Sequence, residues 1–153
     1  MQEQIDLLKS TRNNILKELE DCSEQQLFQI PEGFNNHIIW NAAHVVVTPH
    51  LLIYGRSGLP LRLETNYIES FRKGSQPSKE VSTELIHWVK DHLINFPEEL
   101  SEDFKKGVFN NFDSYETSYR FALNSVEDAI AFNNVHEAMH YGQIKMLKRL
   151  VKA

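Results

Sequence analysis

The chain has 153 residues, enough for one domain with its own core, and 41% of them are hydrophobic, which is too many for a disordered sequence. Its formal net charge is −5 and it has no long run of Lys or Arg, so it lacks the clustered cations that displace counterions from nucleic-acid phosphates. The single cysteine, Cys22, excludes an internal disulfide and any Cys-x-x-Cys zinc or redox motif.

The first residues carry no secretory apolar region, and His, Asn and Gly break every apolar run short of transmembrane length. The expected location is therefore the cytoplasm. No repeat or low-complexity segment divides the sequence, which reads as a single domain over 1–153.

The first element is a helix from about Gln2 to Cys22. Ile5, Leu8, Ile15 and Leu19 recur at helical spacing, with Arg12 on the same stripe and expected to extend its head group outward along its own stem. Ser23-Glu24-Gln25-Gln26 has the form of a capping box and predicts a short helical turn ending before Pro31. A second long helix spans about Asn36 to Tyr54, with Trp40, His44, Val47 and Leu51 on one face and a kink or break at Pro49.

Residues 55–80 read as a long connection punctuated by Gly55, Gly58, Pro60, Gly74 and Pro77, of the length a crossover between parallel neighbours in a bundle requires. A third helix begins near Ser82 and presents Leu85, Val89, His92 and Phe96 until Pro97 ends or bends it. Residues 104–124 read as irregular, with room for a further helical stretch. The last helix starts at the Ser125-x-x-Asp128 cap. It carries Ala129, His136, His140, Ile144, Leu147 and Val151 on one stripe, with cations in its final turns. The expectation is an all-α protein of four long helices.

Of seven histidines, His136 and His140 are the informative pair. Spacing of i, i+4 puts both imidazoles on one helix face, as two ligands of a shared ion require. The same spacing also suits two core histidines hydrogen-bonded to other side chains with no metal, and a further ligand is needed to decide. His136-Glu137-Ala138-Met139-His140 spells H-E-x-x-H, the zinc-protease motif. The protease reading fails because no His, Asp or Glu follows His140 to act as third ligand; Glu137 is expected to face solvent or a rim.

A third ligand must come from upstream. His44 is the best placed and His92 its strongest competitor, whereas His37 falls near a helix start and His50 and His87 read as surface residues. Three imidazoles leave a coordination position open for water or substrate and suit zinc, nickel, iron or copper. Asn41, Gln143, Tyr115 and Tyr119 are candidates to hydrogen-bond the ligands or a substrate.

Trp40-Asn41-Ala42-Ala43-His44 resembles the W-x-x-x-H signature of the DinB-like (DinB/YfiT) superfamily. His136-Glu137-Ala138-Met139-His140-Tyr141-Gly142-Gln143-Ile144 resembles its closing H-x-x-x-H-x-G-Q-I signature. The order, one histidine from the second helix and two from the last, is also the family's. The resemblance implies a four-helix bundle in up-down-down-up order with a long crossover. It also implies a three-histidine site on His44, His136 and His140 for one divalent metal, commonly zinc or nickel, and frequent homodimers. Met139 stands where many relatives have another histidine, and it is expected to lie off the ligand face.

Some relatives resemble S-transferases using bacillithiol, mycothiol or glutathione, and others resemble metal-dependent hydrolases. The leading expectation is a metal-dependent enzyme acting on a small molecule, with thiol S-transfer first and hydrolysis second. A non-catalytic metal- or ligand-binding stress module and a purely structural helical dimer are the alternatives. No nucleic-acid or membrane partner is expected.

Overall fold

A computed structural model describes residues 1–153 and shows an all-α protein. The first helix, α1 (Gln2–Glu20), buries Ile5, Leu8, Ile15 and Leu19 as their spacing requires, and Arg12 with them. Ser23 caps α2 (Glu24–Phe28) with a reciprocal box: Ser23 Oγ accepts the Gln26 N–H at 3.3 Å and Gln26 Oε1 accepts the Ser23 N–H at 2.9 Å. His37 caps α3 (Ile38–Pro49) by accepting the Trp40 N–H on Nδ1 at 3.0 Å.

Every residue of α3 from Ile38 to Val47 is buried, so this helix runs through the centre, apolar on every side but for Asn41 and His44. Pro49 neither breaks nor sharply ends it. Without an N–H to continue the α ladder, the chain passes into a wider π-helical segment, His50–Gly55. Together Ile38–Gly55 has the length and apolarity of a membrane span, contrary to the reading that no run reaches it, but 78% of it is buried inside the bundle, as a core helix is.

The crossover is not bare loop. It contains α4 (Thr65–Phe71), which buries Ile68 and Phe71 against α3 and stacks Tyr67 on Trp88 at 4.1 Å. Next comes α5 (Thr83–Lys105), which Pro97 does not end. The proline is buried between Phe96 and Leu100, and packing there offsets the one lost hydrogen bond. Gly107, at φ +67°, stops the helix in a conformation that disfavours side chains. Residues 106–124 form no further helix; Tyr115–Glu116 (β1) pairs antiparallel with Ala122–Leu123 (β2). The last helix, α6 (Val126–Lys152), starts where Ser125 Oγ accepts the Asp128 N–H at 3.1 Å.

Each of α1 and α3 packs against both α5 and α6. The core forms two apolar clusters, one holding Ile15, Leu19, Ile38, Val47, Ile86, Leu93 and Ile144, the other Leu8, Ile53, Phe96, Leu100, Val126 and Ile130. Helices α1, α5 and α6 each contribute to both clusters, whereas α3 contributes to the first and its π-helical continuation to the second. Between the clusters lies a buried polar layer of Arg12, His50, Asn133 and Glu137.

Candidate metal centre

Helix α3 supplies His44, and α6 supplies His136 and His140 one turn apart. The ligand-capable nitrogens of the three lie within 4.8 Å of one another, with His44 Nε2 and His136 Nε2 only 3.2 Å apart. His44 and His140 are buried and His136 half-buried.

The other ring nitrogens decide the tautomers. His44 Nδ1 lies 2.6 Å from the Phe71 carbonyl oxygen and His140 Nδ1 lies 2.9 Å from Asn41 Oδ1. Both partners only accept, so both Nδ1 atoms carry the proton and both Nε2 atoms keep a free lone pair. Asn41 cannot turn its amide round, because its Nδ2 donates to the His37 carbonyl at 3.0 Å. The short α4 thus has a role: it ends by presenting the Phe71 carbonyl to His44. Trp40 stacks on the His44 ring at 5.0 Å and 6°, fixing its plane.

Burial pushes all three imidazoles below their ordinary range. His136 and His140 fall to about 3, lowered further by their neighbouring histidines, and the Phe71 hydrogen bond partly opposes the shift at His44. The three are neutral at pH 7, with nitrogen lone pairs gathered in one place. His136 is the least satisfied: its Nε2 faces His44 and its buried Nδ1 has no partner. Neutral nitrogen donors crowded in this way fit a borderline-soft divalent cation, which could be held by all three.

The histidines line a cavity of about 670 Å³. Gln143, Tyr115 and Tyr119 also line it, but no hydrogen bond joins any of them to the histidines; the Tyr119 hydroxyl meets Met139 Sδ at 3.3 Å. Met139 lines the same cavity, which corrects the expectation that it lies off this face. It is three residues beyond His136, so the helix turns it to the same side. Arg56, Lys73 and Asp113 add charge to the wall.

The remaining histidines separate clearly. His92 is outside the cluster, and its Nδ1 donates to the Trp88 carbonyl at 2.8 Å. His87 is exposed. His50 is not on the surface: it is 2% exposed, packed against Tyr54 and Phe96, with neither ring nitrogen partnered. It lies four residues beyond Val46 and three beyond Val47, both buried, so helical spacing turns it inward.

Glu137 and Arg12 are also corrected. Both have no exposure and form an ion pair at 2.8 Å, so Glu137 does not face solvent and Arg12 does not reach out. Burial raises the Glu137 carboxyl and the Arg12 charge opposes that rise.

Compared against curated protein sequences, the chain gives no significant match. The sequence profile of the DinB superfamily matches residues 7–144, a stretch that takes in His44, His136 and His140 and nearly all of the bundle. By that match the chain belongs to the DinB superfamily.

Proposed function

We propose that this chain is a metal-dependent enzyme acting on a small molecule, with His44, His136 and His140 as protein ligands of one divalent ion, zinc or nickel. Thiol S-transfer is the reaction proposed. The observation that carries the reading is the gathering of three neutral imidazoles on the wall of a cavity large enough for a small organic molecule. Three protein ligands leave a coordination position for a substrate. A divalent ion held there acidifies the thiol or water that takes this position, which both thiol transfer and hydrolysis need.

The chain's own residues supply the rest. Asn41 and the Phe71 carbonyl hold the His140 and His44 rings in place. Arg56 and Lys73 make no ion pair and bring positive charge to the cavity, in a chain whose net charge is −5. That charge suits a low-molecular-weight thiol bearing a carboxylate. Trp40, Leu51, Leu52 and Phe132 offer apolar wall to an electrophile, with Gln143 and Tyr119 placed to orient it. Hydrolysis is the second reading, favoured by Asp113, a carboxylate on the same wall able to take a proton from water.

Assembly as a homodimer is part of this proposal. The outer face of α6 exposes Val135, Met146 and Leu150 around Gly142, with Glu127 and Asp128 at its start and Lys145, Arg149 and Lys152 near its end. Antiparallel pairing with a second copy covers the apolar residues and opposes unlike charges.

The test is turnover. Zinc- or nickel-loaded protein should accelerate transfer of glutathione or cysteine to an aryl halide, and His140→Ala should abolish the acceleration. Cleavage of a phenyl ester instead would favour hydrolysis. Stoichiometric metal with neither reaction would contradict the enzyme reading and leave a binding module.

A further inference from the structure

Arg12 occupies a position on the apolar stripe of α1 and has no exposure to solvent. Its guanidinium contacts all lead to other helices. Nε donates to the two Glu137 oxygens at 3.2 and 3.1 Å, and Nη2 to Oε1 at 2.8 Å. Nη1 donates to the His92 carbonyl of α5 at 3.1 Å, and Nη2 to the Val45 carbonyl of α3 at 3.2 Å. One planar fork on α1 therefore grips the three other long helices at the same level. Asn133 Nδ2 gives Glu137 Oε1 a further donor at 2.8 Å.

The contact with Val45 has a cause in the sequence. Val45 lies four residues before Pro49, and proline has no N–H to give the carbonyl of residue i−4. That leaves a buried acceptor without its helical donor, and Arg12 supplies one.

Both ends of the link adjoin the histidine cluster. Val45 follows His44, and Glu137 follows His136. Arg12 thus joins α3 to α6 next to the place where His44 Nε2 and His136 Nε2 come within 3.2 Å.

We propose that Arg12, acting through Glu137 and the Val45 carbonyl, is a positioning residue that sets the spacing of His44 from His136 and His140. Its consequence for metal binding rests on the three-histidine site proposed above; the alignment itself is measurable without metal. A buried ion pair is a poor device for stability alone, because an apolar pair of the same size is often as stabilising. What the apolar pair lacks is direction. The guanidinium fixes its donors in one plane, so its partners keep one depth and one rotation.

The test replaces Arg12→Met together with Glu137→Leu, which removes both charges and keeps the volume. Helical circular dichroism and cooperative unfolding should persist. Two readouts then follow. Without metal, imidazole nitrogen NMR of the wild type should show His44 and His140 as Nδ1–H tautomers, and the double variant should lose that pattern. With cobalt(II) as the probe, affinity should fall at least about tenfold, as loss of groups that orient metal ligands does, and the visible absorption of the bound ion should change.

Unchanged imidazole signals and unchanged cobalt affinity in the folded double variant would overturn the proposal. If the wild type takes up no cobalt, the metal-site reading fails and the imidazole signals alone decide the alignment. If the double variant does not fold, Glu137→Gln takes its place with the same readouts. A smaller change in the same direction supports the proposal, and no change overturns it.

Discussion

Asn41 Oδ1 accepts the Nδ1–H of His140 at 2.9 Å, joining the helix that carries one imidazole of the cluster to the helix that carries the other two. The bond fixes the tautomer that leaves His140 Nε2 free. Asn41→Ala should therefore keep the helical content but weaken zinc binding by about 10- to 100-fold, measured by competition with a chromophoric chelator. Wild-type affinity in this variant would show that the amide has no part in preparing the ligand.

The metal-free protein should lose stability as pH falls. His50, His136 and His140 are held down to about 3 in the fold, against about 6.5 in the unfolded chain. Between those values the unfolded state binds more protons, so the stability is complete above about pH 6.5 and drains away towards 3. At pH 5 each of these imidazoles should have removed up to about 2 kcal/mol. Urea unfolding at pH 7 and pH 5 measures this, and equal stability at the two pH values would contradict the burial of these rings as neutral groups.

His50 is a buried ring with two unpartnered nitrogens among Tyr54 and Phe96. Removing the polar atoms should relieve an unmet desolvation penalty, so His50→Leu should raise the unfolding free energy by about 1 kcal/mol. Denaturant midpoints give the comparison. A loss of stability instead would mean that the ring has polar partners in solution.

The outer face of α6 gives an oligomer prediction. Met146→Glu combined with Leu150→Glu places charge in the middle of the exposed apolar stripe and should convert a dimer to a monomer without change in helical content. Sedimentation equilibrium distinguishes the species. A dimer that survives the substitution would place the interface elsewhere.

The four long helices were legible from their apolar residues at helical spacing; Ser125 marked the start of the last, Ser82 the neighbourhood where the third begins, and Ser23 the turn after the first. Helix α4 was not, since its seven residues bury only Ile68 and Phe71 and leave no period to read. The paired strands, two residues each, leave still less. The His136–His140 spacing and the Trp40–His44 motif pointed to a cluster that the fold brings together. The Arg12–Glu137 pair escaped because it joins positions 125 residues apart, and no local pattern encodes a partner at that separation. One signal was available: Ile130, Asn133, Glu137, His140 and Ile144 follow helical spacing, which puts Glu137 on the buried face. His50 was misread because α3 is buried on every side, so a position off the Trp40–His44–Leu51 face still points into the core beside Val46 and Val47.

Metal content by mass spectrometry tests the central claim most directly, on protein purified without an affinity tag and supplied with zinc or nickel, comparing wild type with His44→Ala and His92→Ala. The account predicts one ion per chain in wild type and in His92→Ala, and loss of the ion in His44→Ala. Metal retained in His44→Ala, or absent from wild type, would contradict it.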